Sequence, residues 1–124
     1  MATEAEKLVT DFCNAWPRKN IEELLAFFTD DAVYHNIPVE PARGKAAIRA
    51  VINSFLPAAK SIEFKVLKSA GAGNFVMNER VDVFDLGGGK TISLPVAGVF
   101  EVNGGKISAW RDYFDMQMYT KQMA

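Results

Sequence analysis

The sequence predicts an α+β fold, and three observations carry that reading. Apolar residues recur at helical spacing in three separate stretches before residue 57. From residue 62 the period switches to two and holds to residue 114. Glycine-rich turns at 71–74, 87–89 and 103–105 separate the alternating runs. Helices followed by a meander of long antiparallel strands make a layered domain. Such a sheet can curl around its helices and leave a pocket on the concave face.

Over residues 3–16, Leu8, Val9, Phe12, Cys13 and Trp16 form one apolar stripe, and Pro17 ends that helix. Asn20 is placed to cap a second helix, with Glu23 three residues on in capping-box position. Ile21, Leu24, Leu25 and Phe28 supply its buried face, and Asp30 and Asp31 close it as a solvated turn. A short strand over 32–37 puts Tyr34 and Asn36 on one face and Val33, His35 and Ile37 on the other. The proline-bracketed loop 38–44 is a rigid connector. A third helix, about 45–56, carries Ile48, Val51, Ile52, Phe55 and Leu56 until Pro57 stops it. Ile62, Phe64 and Val66 then alternate with Glu63 and Lys65, ahead of strands over 78–84, about 90–101 and 106–114. The tail, 115–124, is a candidate short helix bearing Met116, Met118, Tyr119 and Met123.

With 124 residues the chain is expected to form one domain, 1–124, with a single core and no need of disulfides or metal. Its formal charge of −1 leaves no basic footprint for nucleic acid and no polybasic membrane patch. Cys13 is the only cysteine, which excludes an intramolecular disulfide and a cysteine-based metal site; its place on an apolar stripe makes it a small core residue. No apolar run approaches the length that spans a bilayer, and the N-terminus is polar and acidic rather than a signal peptide. A cytoplasmic protein is the default expectation.

The chemistry concentrates in two strands. In the stretch 78–84, Arg80 and Asp82 share a face with Asn78 and Phe84, while Val81 and Val83 point the other way. Alone, that pattern reads as core valines and an exposed ion pair. In 108–114, however, Asp112 shares its face with Trp110 and Phe114, which predicts a partly buried carboxylate. A buried carboxylate needs a partner or loses its charge. If the two strands pair, Arg80 is that partner and Asp82 becomes a second carboxyl beside the same guanidinium. That is a candidate acid/base site. One face of each strand would line an apolar pocket with Phe84, Leu94, Val96, Trp110 and Phe114, joined by Phe55 and Leu56 from the third helix.

Other motifs have plainer readings. Gly87-Gly88-Gly89-Lys90-Thr91 lacks the first glycine of a phosphate loop, since Phe84 stands there, and a strand follows it; it is a hairpin turn. His35, the single histidine, sits with Val33 and Ile37 and reads as structural. A metal centre would have to be built from carboxylates, and no such cluster stands out. No serine occupies a nucleophile elbow. Tyr34 and Asn36, an edge tyrosine and a turn asparagine when taken alone, offer a phenol and an amide able to hold a water molecule beside Arg80, Asp82 and Asp112.

Tyr34-His35-Asn36, Arg80-Val81-Asp82 within Glu-Arg-Val-Asp-Val, and the run from Trp110 to Asp115 resemble the limonene-1,2-epoxide hydrolase family. Gly98-Val99-Phe100 and the 38–44 loop extend the resemblance over nearly the whole chain. The departures fall mainly among pocket-lining apolar residues, where substrate preference is set. The resemblance implies an NTF2-like, SnoaL-like cone, with three N-terminal helices packed on a strongly curved, mainly antiparallel sheet. It implies one-step hydrolysis of an epoxide to a vicinal diol, without cofactor or metal. By position, Asp112 is then the general base, Tyr34 and Asn36 hold the water, Asp82 donates a proton to the epoxide oxygen, and Arg80 orients both aspartates. The residues themselves are symmetric as to which carboxyl keeps the proton.

Two other readings stay open. A ketosteroid-isomerase-like or SnoaL-like enzyme would use one aspartate as base and leave the second superfluous, and a small-molecule-binding module needs no acid/base set. An apolar outer sheet face (Val33, Val81, Val83, Val99) points to a homodimer, also the habit of the resembling family.

Overall fold

A computed structural model describes residues 3–124, so the first two residues of the expected 1–124 domain lie outside the described residues. Helix α1 spans Glu4–Ala15 and starts where the Thr3 hydroxyl accepts the Glu6 N–H. A 3-10 turn, Trp16–Arg18, carries Pro17, and α2, Ile21–Leu25, is capped by Asn20, whose side chain accepts from Glu23 N–H. Strand β1 follows at Phe28–Asn36, then a short β2 at Ala42–Arg43 and α3 at Lys45–Phe55. Strands β3 (Ser61–Ala72), β4 (Phe75–Gly87), β5 (Lys90–Asn103) and β6 (Lys106–Tyr113) precede a terminal helix α4, Met116–Met123.

The expected α+β layout holds, with two differences. There are four α-helices among the described residues, and one of them closes the chain. The six strands run in the order β2-β1-β6-β5-β4-β3, and β1 lies parallel to β6 while every other pair is antiparallel. The parallel pair follows from the path of the chain, which leaves β1, crosses α3 and returns along the far edge of the sheet before β6 reaches β1.

The second helix is shorter than its apolar spacing suggests. Phe28, expected on that helix, instead opens β1 opposite Ile107 of β6, and Asp30 and Asp31 are exposed strand residues rather than a closing turn. Pairing with β6, where Ile107 N–H donates to Phe27 C=O at 2.7 Å, overrides a five-residue helix with little propagation of its own. The hairpin at Gly87–Gly89 forms as expected, with φ between 62 and 81° at its three glycines, a region that L side chains rarely adopt.

The core fills the concave side of the sheet. Phe12 meets Trp16, Phe28, Phe100 and Trp110 edge-on, with ring centroids 5.0–6.3 Å apart. Trp16 of this aromatic block stacks on Phe55 and Phe64, which also border the cavity described below.

Candidate active site

Alternation along β4 sends Asn78, Arg80 and Asp82 to the concave face, and all three are buried. Asp112 reaches the same place from β6. The two strands do not pair with each other, contrary to the simplest expectation, because β5 runs between them. In register, Gly98 of β5 has Asn78 on one side and Asp112 on the other. A Cβ on Gly98 would stand 2.3 Å from Arg80 Nη1 and 2.7 Å from Asn78 Oδ1. The missing side chain is what allows the guanidinium to lie over β5 and reach Asp112. Glycine inside a strand commonly marks such a close approach, a signal available in the sequence.

Every N–H of Arg80 has an acceptor. Nε donates to Asp82 Oδ1 at 3.0 Å and Nη2 to Asp82 Oδ2 at 2.9 Å, a two-pronged pair. Nη2 also donates to Asp112 Oδ2 at 2.8 Å, and Nη1 to Asp112 Oδ1 and Asn78 Oδ1, each at 3.2 Å. One face of the guanidinium lies 4.9 Å from the centroid of the Phe64 ring. Sequence reasoning gives no role to Asn78, Phe64 or Gly98, yet these three fix the orientation of the cation.

Two carboxyls on one buried cation leave a net negative charge if both ionise. Burial pushes the Asp82 carboxyl from its ordinary 3.8 to about 6, opposed by Arg80 and assisted by Asp112. The Arg80 cation is held well above its usual range: burial opposes it, and the charges of Asp112 and Asp82 outweigh that cost. Asp112 also accepts from Trp110 Nε1 at 2.6 Å.

The β1–β6 register sets Tyr34 beside Trp110 and Asn36 beside Asp112. The Tyr34 ring stacks on Trp110 at 4.0 Å and 8°. Burial and the Asp112 charge raise the phenol's proton affinity, while a hydrogen bond with Asn36 works against them, so the hydroxyl is neutral and able to donate.

Tyr34, Asn36, Asp82 and Asp112 open onto one cavity of about 580 Å³. Of the expected lining residues, Phe55, Phe84, Leu94, Val96 and Phe114 border it. Leu56 and Trp110 do not: Leu56 packs in the core, and Trp110 lies behind the wall, fully buried, holding Asp112. The sequence reading leaves out Phe64, Ile92 and three α4 residues, Met116, Tyr119 and Met123, all of which line the cavity. His35 is not on the cavity wall; its Nε2 lies 3.0 Å from Val39 C=O. Cys13 is buried beneath Arg80, and burial pushes its thiol to about 12, so no thiolate nucleophile is present near neutrality. Among the described residues no cluster of histidine, cysteine and carboxylate side chains is arranged to hold a metal ion, and no helix is long and apolar enough to cross a membrane.

This arrangement offers a carboxyl with a raised proton affinity, a carboxylate anchored by an arginine and an indole, and a phenol–amide pair beside that carboxylate on the cavity wall. Known proteins share the frame. Epoxide hydrolase EphG of Mycobacterium tuberculosis (strain ATCC 25618 / H37Rv) is 32% identical over 108 residues, covering 87% of this chain and 71% of that protein. The solved structure of an M. tuberculosis LEH-like epoxide hydrolase superposes with a TM-score of 0.83 at 31% identity, over 96% of this chain and 88% of that one. A SnoaL-like polyketide cyclase structure from Shewanella putrefaciens CN-32 reaches a TM-score of 0.86 at only 16% identity, over 99% and 98% of the two chains, which shows the SnoaL-like fold and no more. Residues 3–124 match the family described as the limonene-1,2-epoxide hydrolase catalytic domain. The chain belongs to that epoxide hydrolase family.

Proposed function

We propose that the protein adds water to an uncharged, apolar or alicyclic epoxide and releases a vicinal diol in one general acid/base step. The observation that carries this reading is one guanidinium, Arg80, bonded to both Asp82 and Asp112 at the floor of an otherwise apolar cavity. An alkoxide is a poor leaving group, so the ring oxygen needs a proton as the carbon–oxygen bond breaks. Water is a weak nucleophile and needs a base. Asp82, with its raised proton affinity, supplies the proton. Asp112 takes one from a water held by Tyr34 and Asn36, and that water's oxygen forms the new bond to carbon. Positioned acid and base groups each contribute roughly 10²–10⁴-fold. Arg80 orients both carboxyls, and neither cofactor nor metal has a part in the step. A single 1–124 domain is sufficient for this chemistry.

Incubation with a panel of alicyclic epoxides, scored for diol by chiral chromatography, tests the reading. Diol from at least one member is expected. Thermal stabilisation by apolar ligands without diol from any epoxide would favour a binding module instead.

We also infer a homodimer formed through the outer sheet face. Val33, Val81 and Val83 are half-buried there, and Met77 and Tyr113 are each 47% exposed. Val99, expected in the same patch, is already buried by its neighbours. Light scattering should give a mass near twice 13.7 kDa; a monomer across micromolar concentrations would remove the assignment.

A further inference from the structure

We propose that Gln122 determines substrate size: its side-chain amide pins α4 to the backbone of Ser93, and that pin sets how bulky an apolar ligand the cavity admits. Strand β6 covers β5 only from Ala97 to Asn103, so the stretch before it has no strand on that flank. At Ser93 one side chain takes the strand's place. The Ser93 N–H donates to Gln122 Oε1 at 2.7 Å, and Gln122 Nε2 donates to Ser93 C=O at 2.9 Å. Both polar backbone atoms of one residue are thus satisfied by one amide, as a neighbouring strand would satisfy them.

Little else holds that end of the helix. No α4 residue is fully buried, and the further ties are Lys90 Nζ to Met123 C=O at 2.7 Å and to Ala124 C=O at 3.3 Å. The other end is fixed by the chain itself. It continues from β6 through Phe114, and Asp115 caps the helix by accepting from Gln117 N–H at 2.9 Å and Met118 N–H at 3.4 Å. Release of Gln122 therefore swings the far end of α4, carrying Met123 and Tyr119, away from the cavity and leaves the floor around Asp112 in place. The cavity-facing residues of α4 are uncharged, so the ligand portion they select is apolar.

The proposal rests on the epoxide-hydrolase reading only for the nature of the ligand, and its test reads binding rather than turnover. Dissociation constants for cyclohexanol and 1,2-diphenylethanol are measured by NMR titration in the wild type and in Gln122→Met, which keeps side-chain length and helix propensity but removes the amide. Ser93 amide hydrogen exchange reports the pin directly, and loss of two hydrogen bonds should speed it about tenfold or more. The ratio of affinities should shift toward the bulky alcohol by about fivefold, while Gln122→Glu, which retains an acceptor but no donor, falls between. Unchanged Ser93 exchange, or faster exchange with an unchanged affinity ratio, overturns the proposal. Should Gln122→Met unravel α4, seen as loss of its amide protection, the ratio in Gln122→Glu decides, and no shift there is equally fatal. Absence of diol in the epoxide panel would count against the hydrolase reading and leave these two readouts intact.

Discussion

Asp112 and Tyr119 border the same cavity from opposite ends of a short stretch of chain, yet they are held in different ways. Asp112 accepts three hydrogen bonds, two from Arg80 and one from Trp110, and is 3% exposed. Tyr119 belongs to a helix with no fully buried residue, tied at its far end by one side-chain amide and one lysine. The floor is a saturated polar network in a low-dielectric setting, where removing any member strands the others. The wall is apolar and shallowly packed, where a change of side chain alters shape and little else. Under the proposed reading, chemistry on the first and selectivity on the second can vary independently, which suits a fold that hosts many activities.

The sharpest way to break that contrast is at the floor. Asp112→Asn and Asp82→Asn are each expected to reduce diol formation by about 10²–10⁴-fold, the usual worth of a positioned acid or base. Steady-state rates with either variant above about a tenth of wild type would show that the floor does not carry the chemistry. Arg80→Lys should be nearly as damaging, because an ammonium cannot offer a planar fork to both carboxyls. It should also cost about 3–5 kcal/mol in denaturant unfolding, since part of a buried charge network loses its partner. Gly98→Ala comes next. Its methyl would displace the Arg80 guanidinium, so activity should fall steeply at a stability cost of about 1–3 kcal/mol. A fully active Gly98→Ala would mean that the bridge across β5 is dispensable.

Much of this is legible in the sequence. Period-two alternation alone sets Arg80 and Asp82 on one face and Asp112 on the face of Trp110. The aromatics on its face mark Asp112 as partly buried, and the cost of an unpaired buried charge then calls for a partner such as Arg80. The expected route, direct pairing of the two strands, is not the one the fold uses. The strand between them is harder to read, because β5 contributes to the cluster by the absence of a side chain at Gly98. Alternation puts Trp110 on the correct face but does not reveal its role. Its indole N–H is spent on Asp112, which draws the ring behind the cavity wall instead of leaving it on the lining. The cavity lining from α4 escapes sequence reasoning because Met116, Tyr119 and Met123 follow no periodic stripe strong enough to orient a short terminal helix. Phe28 shows the opposite error, a residue at helical spacing claimed by strand pairing that sequence distance conceals.

The last expected effect is a pH-dependent one. Asp82 has a folded proton affinity near 6 against an ordinary 3.8, so the folded state binds the extra proton between those values. Its stabilising contribution is fully present below about 3.8 and is lost as pH rises through about 6. Asparagine at that position does not titrate. The stability of Asp82→Asn relative to wild type should therefore improve by about 2–3 kcal/mol between pH 4 and pH 7.5, read from urea midpoints. A difference that stays flat with pH would place Asp82 in an ordinary, ionised setting. Wild-type turnover should also decline as pH rises above about 6, because the acid must hold its proton.

The central claim is that water, rather than a protein carboxylate, attacks the epoxide. The alternative route passes through an aspartyl ester and needs a second base to release it. His35, the single histidine of the chain, is off the cavity wall. A single turnover in ¹⁸O-water, with enzyme in excess over substrate, separates the two routes. Direct attack by the water beside Asp112 puts the label into the diol on that first turnover. Unlabelled diol, with the label later found in Asp82 or Asp112, would contradict the one-step account even if every variant behaved as expected.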